Sequence, residues 1–128
     1  MKILVVDDKD SVRGAMMKIL TSLGFNDLTE ATDGHDAWFQ LKAEFEGEEK
    51  ERFDLVISDM EMPEMSGLDL LKSIRADTDL KDTPVIMVTT VNTKEVILET
   101  MKLGISAYII KPFTQESVQE KMKKAGFL

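Results

Sequence analysis

Five polar side chains stand where apolar runs of the sequence end, and their types suggest one kind of chemistry. Asp7 and Asp8 follow the run KILVV, and Asp59 follows FDLVIS. Thr89 closes TPVIMV, and Lys111 follows AYII. Carboxylates gathered in one cleft repel one another, and a hard divalent cation such as Mg²⁺, which prefers oxygen ligands, removes that conflict. With the ion and a lysine neutralising the transferring oxygens, a carboxylate can accept a phosphoryl group, to which a threonine hydroxyl can donate a hydrogen bond.

Each of these residues also has a purely structural explanation. Asp7 or Asp8 could cap the first helix, and Asp59 could form a turn. Thr89 could simply extend a β-branched strand, and Lys111 could be an exposed loop lysine. Taken singly, these explanations are at least as good as the functional one. Five such residues at the ends of strands of one sheet favour a functional site.

The elements that must position these residues are strands and helices in alternation. The runs KILVVDD, FDLVISD, TPVIMVTT and SAYIIKP are continuously apolar, which predicts strands buried on both faces. A weaker strand is predicted around Asp27 to Ala31, between two helical segments. Five strand–helix alternations with short loops predict an α/β protein with a parallel sheet covered on both faces. Ligands of such sheets bind outside the carboxyl ends of the strands, where the five polar residues stand.

The helical segments carry start signals and apolar faces. The stretches Ser66 to Asp69, Asn92 to Glu95 and Asp33 to Asp36 each place a capping residue three positions before an acid. Helical spacing and strand position predict that Met16, Met87 and Met101 lie in the core, whereas Met60, Met62 and Met65 flank the proposed site in a loop. His35 is expected at the surface, because no second histidine is present to share a metal. The charged stretch from Glu44 to Arg52 is expected to be a solvated extension of the second helix followed by a loop.

Composition limits the classes of function. A chain of 128 residues is the length of one domain, and the net charge of −8 argues against sequence-independent nucleic-acid binding. The absence of cysteine excludes disulfides and thiolate metal sites. The N-terminal apolar run is too short for a signal peptide, so we expect a cytoplasmic protein without membrane insertion.

Four motifs in order make the sequence resemble a response-regulator receiver domain. They are VVDD, SDMEMPEMSGLDLL, MVTT and YIIKPFT, and the resemblance extends over essentially the whole chain. It implies a flavodoxin-like, doubly wound (βα)5 fold with strand order 2-1-3-4-5, an order known for chemotaxis regulators. It also implies a single receiver domain over residues 1–128, with no output domain.

The same resemblance implies roles for individual residues. Asp59 corresponds to the phosphoacceptor, and Asp7 and Asp8 correspond to the acidic pair that holds Mg²⁺ together with Asp59 and the backbone carbonyl of Glu61. Mn²⁺ is expected to be able to substitute for Mg²⁺.

Further positions correspond to the family's phosphoryl-binding and switch residues. Thr89 and Lys111 match the pair that binds the phosphoryl group, and Thr89 and Tyr108 match the pair that moves on activation. The step from Lys111 to Pro112 is often a cis bond in the family, and the sequence leaves its isomer open. Variable positions expected to tune hydrolysis, with a direction that the sequence leaves open, are Glu61, Thr90 and Val91.

The implied function is signal transduction rather than metabolic enzymology. The phosphodonor would be a sensor histidine kinase, and the similarity is greatest to stand-alone chemotaxis regulators. The expected target is a flagellar motor switch protein, or another partner, on the surface formed by the fourth helix, fifth strand and fifth helix. A phosphorelay intermediate and a regulator of a non-motility pathway remain alternatives.

Two other classes of protein fit the sequence less well. A magnesium-dependent phosphatase of the haloacid-dehalogenase type places its nucleophile after an early strand in an Asp-x-Asp pattern, which DME at residues 59–61 lacks. A flavodoxin-like flavin binder needs a phosphate loop after the first strand, where VVDDKD would repel a phosphate.

Overall fold

The computed structural model describes residues 1–90 and 93–128, in which five strands alternate with five α-helices. The strands are β1 (Lys2–Val6), β2 (Asp27–Ala31), β3 (Leu55–Asp59), β4 (Val85–Thr89) and β5 (Ala107–Ile110). The helices are α1 (Asp10–Ser22), α2 (Gly34–Glu46), α3 (Gly67–Ala76), α4 (Lys94–Leu103) and α5 (Gln115–Lys124). A short 3₁₀ helix (Glu49–Glu51) follows α2, so the charged stretch extends that helix and then turns, as predicted.

The strands form one parallel sheet in the order β2-β1-β3-β4-β5, which confirms the predicted order. The weak strand prediction at Asp27–Ala31 is also confirmed. Every residue of β3 and β4 is buried, as their continuous apolar runs predict. The same prediction is wrong for β5, where Ile110 is 49% exposed. The reason is position, because β5 lies at the edge of the sheet.

The core has two layers, one on each face of the sheet. Successive side chains of a strand point to opposite faces, so each central strand must supply apolar residues to both. Leu4 and Val56 pack with residues of α2 and α3 on one face. Ile3 and Ile57 pack with residues of α1 and α5 on the other. This division explains why the central strands read as unbroken apolar runs.

The predicted helix starts agree with the structure in two of three cases. Ser66 and Asp69 form a reciprocal capping box at α3, and the Asp33 side chain accepts a hydrogen bond from the N–H of Asp36 at α2. Of the third signal, Asn92 lies outside the described residues. The residue that precedes α4 is Thr93, whose side chain makes no capping hydrogen bond.

Burial corrects the prediction for one methionine. Met16 and Met87 are buried, whereas Met101 is 61% exposed, because α4 turns the neighbouring Thr100 toward the core. Met60 and Met62, which we expected in a loop beside the site, are also buried. His35 is exposed, as predicted. Within residues 1–90 and 93–128, no helix combines the length and apolar character needed to cross a membrane.

Candidate functional site

An acidic cluster lies at the carboxyl edge of the sheet. Asp7 follows β1 directly and Asp59 ends β3, and these strands are neighbours with Val6 opposite Ser58. Asp8 joins them from the loop, so that one carboxylate oxygen from each of the three residues lies within 4.8 Å of the others. The sequence prediction that these carboxylates meet is therefore confirmed.

Lys111 brings a positive charge to this cluster from the far side of β4. Its backbone N–H donates a hydrogen bond of 3.0 Å to the carbonyl of Thr89, which fixes the start of the loop after β5. Its Nζ lies 2.8 Å from Asp59 Oδ1 and 3.6 Å from Asp7 Oδ2. At 2.8 Å the shorter contact is a close ion pair between Lys111 and the buried Asp59. Lys111 thus partly neutralises two carboxylates at once.

The electrostatics of the cluster oppose ionisation of Asp59. Burial raises the pKa of its carboxyl, the charges of Asp7 and Glu61 raise it further, and Lys111 acts in the opposite direction, with a net increase. Burial lowers the pKa of Lys111, but the contact with Asp59 outweighs this effect and raises it above the usual value. The lysine therefore stays protonated, and a further positive charge beside Asp59 would favour its ionised form.

The donor set fits a hard divalent cation. Asp8 Oδ1 is buried and has no hydrogen-bond partner among the described residues, which is costly unless something else coordinates it. All the candidate side-chain ligands are carboxylate oxygens, the ligands that Mg²⁺ and Ca²⁺ prefer. A bound cation would satisfy this atom and offset both the burial and the neighbouring acids that raise the pKa of Asp59.

The side chain of Glu61 also reaches the site, from the loop after β3. Its Oε1 accepts hydrogen bonds from the hydroxyls of Thr89 and Thr90, each 3.0 Å long. Burial raises the pKa of Glu61, but hydrogen bonds from Thr90 and Thr89 and the charge of Lys111 lower it by more, so its carboxylate stays ionised. From the sequence we expected only its backbone carbonyl and an undefined influence on hydrolysis. Val91 lies outside the described residues.

Tyr108 of β5 pairs with Met87 of β4, and Met87 stands two residues before Thr89 on that strand. Its hydroxyl is buried without a hydrogen-bond partner among the described residues, and this burial raises its pKa. Its ring packs against the core layer that contains α2 and α3. The bond between Lys111 and Pro112, whose isomer the sequence left open, is cis.

Comparison with known proteins identifies the family. The family described as the response regulator receiver domain matches residues 3–123. This chain belongs to that family. The receiver is 45% identical over 124 residues to chemotaxis protein CheY-3 of Vibrio cholerae, across 97% of this chain and 90% of the relative. It is 41% identical over 123 residues to chemotaxis protein CheY1 of Helicobacter pylori, across 96% of this chain and 94% of the relative.

A solved structure agrees with this membership. The receiver superposes on chemotaxis protein CheY4 of Vibrio cholerae with a TM-score of 0.82 and 31% sequence identity, covering 97% of each chain. The flavodoxin-like fold predicted from the sequence is therefore confirmed both by the strand order and by this neighbour.

Arg13 is the first of two residues that shape the receiver site and that sequence reasoning missed. Arg13 of α1 is 9% exposed, and its Nη1 donates a hydrogen bond of 2.8 Å to the backbone carbonyl of Asp7. The same guanidinium donates to Glu30 of β2 at 3.0 Å and to Asp10 at 2.7 Å. Arg13 therefore ties the acidic loop to α1 and β2. A signal was present, because Arg13 stands three residues before Met16 on the buried face of the helix.

Gly67 is a second residue whose importance the sequence did not reveal. Its N–H donates a hydrogen bond of 2.9 Å to the carbonyl of Met60, which closes the loop between β3 and α3. A Cβ at this position would collide with the carbonyl oxygen of Asp59 and lie 2.9 Å from the Cα of Met60. Glycine at this position thus allows α3 to begin in contact with the backbone of Asp59.

Proposed function

We propose that this receiver is a two-component response regulator that accepts a phosphoryl group on Asp59. The observation that carries the proposal is the placement of one buried carboxylate between two other acids and a lysine 2.8 Å away. The relatives named as chemotaxis proteins support it, because they match almost the full chain. In this proposal the protein transmits a signal and does not turn over metabolites.

We further propose that the acidic cluster holds Mg²⁺, for which Mn²⁺ can substitute. The ligands would be Asp7, Asp8, Asp59 and the backbone carbonyl of Glu61. When bound, the ion neutralises charge on the phosphoryl oxygens and on the acids around Asp59. The unpartnered Oδ1 of Asp8 supports this assignment.

The proposed step is attack by a carboxylate oxygen of Asp59 on the phosphorus of a phosphohistidine of a sensor kinase. The new O–P bond forms as the P–N bond breaks, and the electron pair of that bond stays on the imidazole nitrogen, which takes a proton. Lys111 stays protonated and balances charge on the transferred oxygens, and the hydroxyl of Thr89 donates to one of them. Later attack by water on phosphorus restores the carboxylate and releases phosphate.

We propose that Thr89 and Tyr108 transmit the change to a partner. Movement of Thr89 toward the phosphoryl group would leave room for Tyr108 to turn, which alters the surface formed by α4, β5 and α5. That surface already exposes the apolar side chains of Leu98, Met101 and Ile110. The chemotaxis relatives favour a flagellar motor switch protein as the target, and a cytoplasmic location is part of the same proposal.

The direct test is labelling by a small phosphodonor such as phosphoramidate in the presence of Mg²⁺. We expect one phosphoryl group on the wild-type protein, detected by intact mass, and none on the Asp59→Asn variant. Asp82→Asn is the matched control, because it removes the same charge from an exposed position outside the site and should be labelled like wild type. Equal labelling of wild type and Asp59→Asn would refute the assignment.

A second arm of this experiment separates chemotaxis from a phosphorelay. The protein activated with beryllofluoride is mixed with a purified flagellar switch protein, and the phosphorylated protein is mixed with a histidine phosphotransfer protein. The proposal expects activation-dependent binding to the first. Efficient transfer to the second, without binding to the first, would instead favour the relay.

A further inference from the structure

Hydrogen-bond donors at the end of β4 bind an anionic group of the protein itself, the carboxylate of Glu61. Glu61 Oε1 accepts from the hydroxyls of Thr89 and Thr90 at 3.0 Å each, and the backbone of Thr90 also donates to this carboxylate. Thr89 is fully buried, so its hydroxyl position is set by the strand that carries it. The carboxylate thus lies where these donors meet.

This arrangement conflicts with the proposed step at Asp59. A threonine hydroxyl carries a single proton and can donate only one strong hydrogen bond at a time. The proton of Thr89 that a phosphoryl oxygen would need is directed at Glu61. The carboxylate of Glu61 also places a second negative charge beside the incoming phosphoryl group, and like charges at close range repel.

We propose that Glu61 is an internal competitor of the phosphoryl group, holding Thr89 and Thr90 until a phosphoryl group on Asp59 displaces it. This inference rests on the proposed function of Asp59. Glu61 would act through Thr89, as a positioning residue that keeps the threonine in its unphosphorylated position. Removal of the Glu61 side chain should therefore favour the phosphoryl-bound state.

Beryllofluoride tests this without chemistry, because it binds to a carboxylate as a phosphoryl analogue. Its affinity would be measured by ¹⁹F NMR titration at saturating Mg²⁺, so that any change in metal affinity does not contribute. For Glu61→Ala we expect binding tighter by about three- to tenfold, which corresponds to one ordinary net hydrogen bond because solvent at this partly exposed carboxylate weakens the effect of its charge. Glu61→Gln keeps an acceptor oxygen without the charge and should give an intermediate value.

Glu64→Ala is the matched control. It removes the same charge from the same loop, at an exposed residue, and should change the affinity less than twofold. If Glu64→Ala tightened binding as much as Glu61→Ala, loss of a negative charge anywhere in the loop would explain the effect, and the proposed competition would be refuted. Unchanged or weaker binding by Glu61→Ala would also refute it.

A double-mutant cycle with Thr90→Val tests whether Glu61 acts through the threonines. Thr90→Val removes one of the two hydroxyls that donate to the Glu61 carboxylate. In that background, Glu61→Ala should therefore increase the affinity for beryllofluoride by a smaller factor. An equal gain in both backgrounds would contradict the mechanism. Failure of the proposed function at Asp59 would give a different result. Wild type would then bind beryllofluoride no better than Asp59→Asn, and both proposals would be refuted.

Discussion

Replacing Gly67 with alanine is expected to destabilise the protein, whereas the same change at Gly14 is expected to stabilise it. A Cβ at Gly67 would collide with the carbonyl oxygen of Asp59, and its distance of 2.9 Å from the Cα of Met60 is about 0.5 Å or more short of ordinary contact. Both neighbours are backbone atoms of the buried strand end and cannot rotate away. We expect a loss of about 3 kcal/mol, the upper part of the range for overpacking.

Gly14 provides the opposite case within the same molecule. It lies inside α1, and a Cβ there would meet nothing within 4 Å. Alanine in a helix interior is favoured over glycine by about 0.5–1 kcal/mol, because the unfolded chain loses less entropy on folding. The pair therefore separates the effect of a methyl group on backbone entropy from its effect on packing against Asp59.

The assay is urea unfolding followed by far-UV circular dichroism, combined with Mg²⁺ titration. Displacement of the Asp59 backbone should move its carboxylate away from Lys111 and from the other two acids, so Mg²⁺ binding should weaken in Gly67→Ala and remain unchanged in Gly14→Ala. If both variants gained stability, the close approach of α3 to Asp59 would be wrong.

Two further predictions concern a buried charge and a hydrogen-bonded tether. In metal-free protein, burial raises the pKa of Asp59 above its ordinary value of 3.8. As the pH rises above 3.8, the unfolded chain therefore loses the Asp59 proton before the folded protein does. The free energy of unfolding falls over this range until the pH passes the pKa of the folded state. Asp59→Asn should remove that fall and be more stable at neutral pH in urea unfolding with EDTA; identical pH profiles would contradict the sign. Arg75→Ala should cost about 2–3 kcal/mol by the same unfolding assay, since its guanidinium donates to the carbonyls of Lys81, Thr83, Leu103 and Gly104. A loss below about 0.5 kcal/mol would show that water replaces these bonds.

The order of elements and the meeting of the acids followed from local patterns. Continuous apolar runs indicate strands buried on both faces, and parallel strands bring their carboxyl ends to one edge, so Asp7, Asp59 and Lys111 had to approach one another. The same reasoning failed at β5, because an apolar run does not reveal whether its strand has a neighbour on both sides. It failed at Met101 for a related reason, since helical spacing does not by itself show which residues of α4 face the core, and the structure buries Thr100 there instead.

The sequence by itself determined which chemistry this protein could perform, because residue types and their places at strand ends are local properties. Only the tertiary structure decided how those residues are held. Glu61 meets Thr89 across 28 positions of sequence, and Arg13 meets Glu30 across 17. Such contacts depend on loop conformation and on the packing of whole elements, and neither leaves a periodic trace in the sequence. From the sequence, Glu61 was therefore only a variable acidic residue of a loop. The tertiary structure showed that its carboxylate accepts hydrogen bonds from Thr89 and Thr90 at the end of β4.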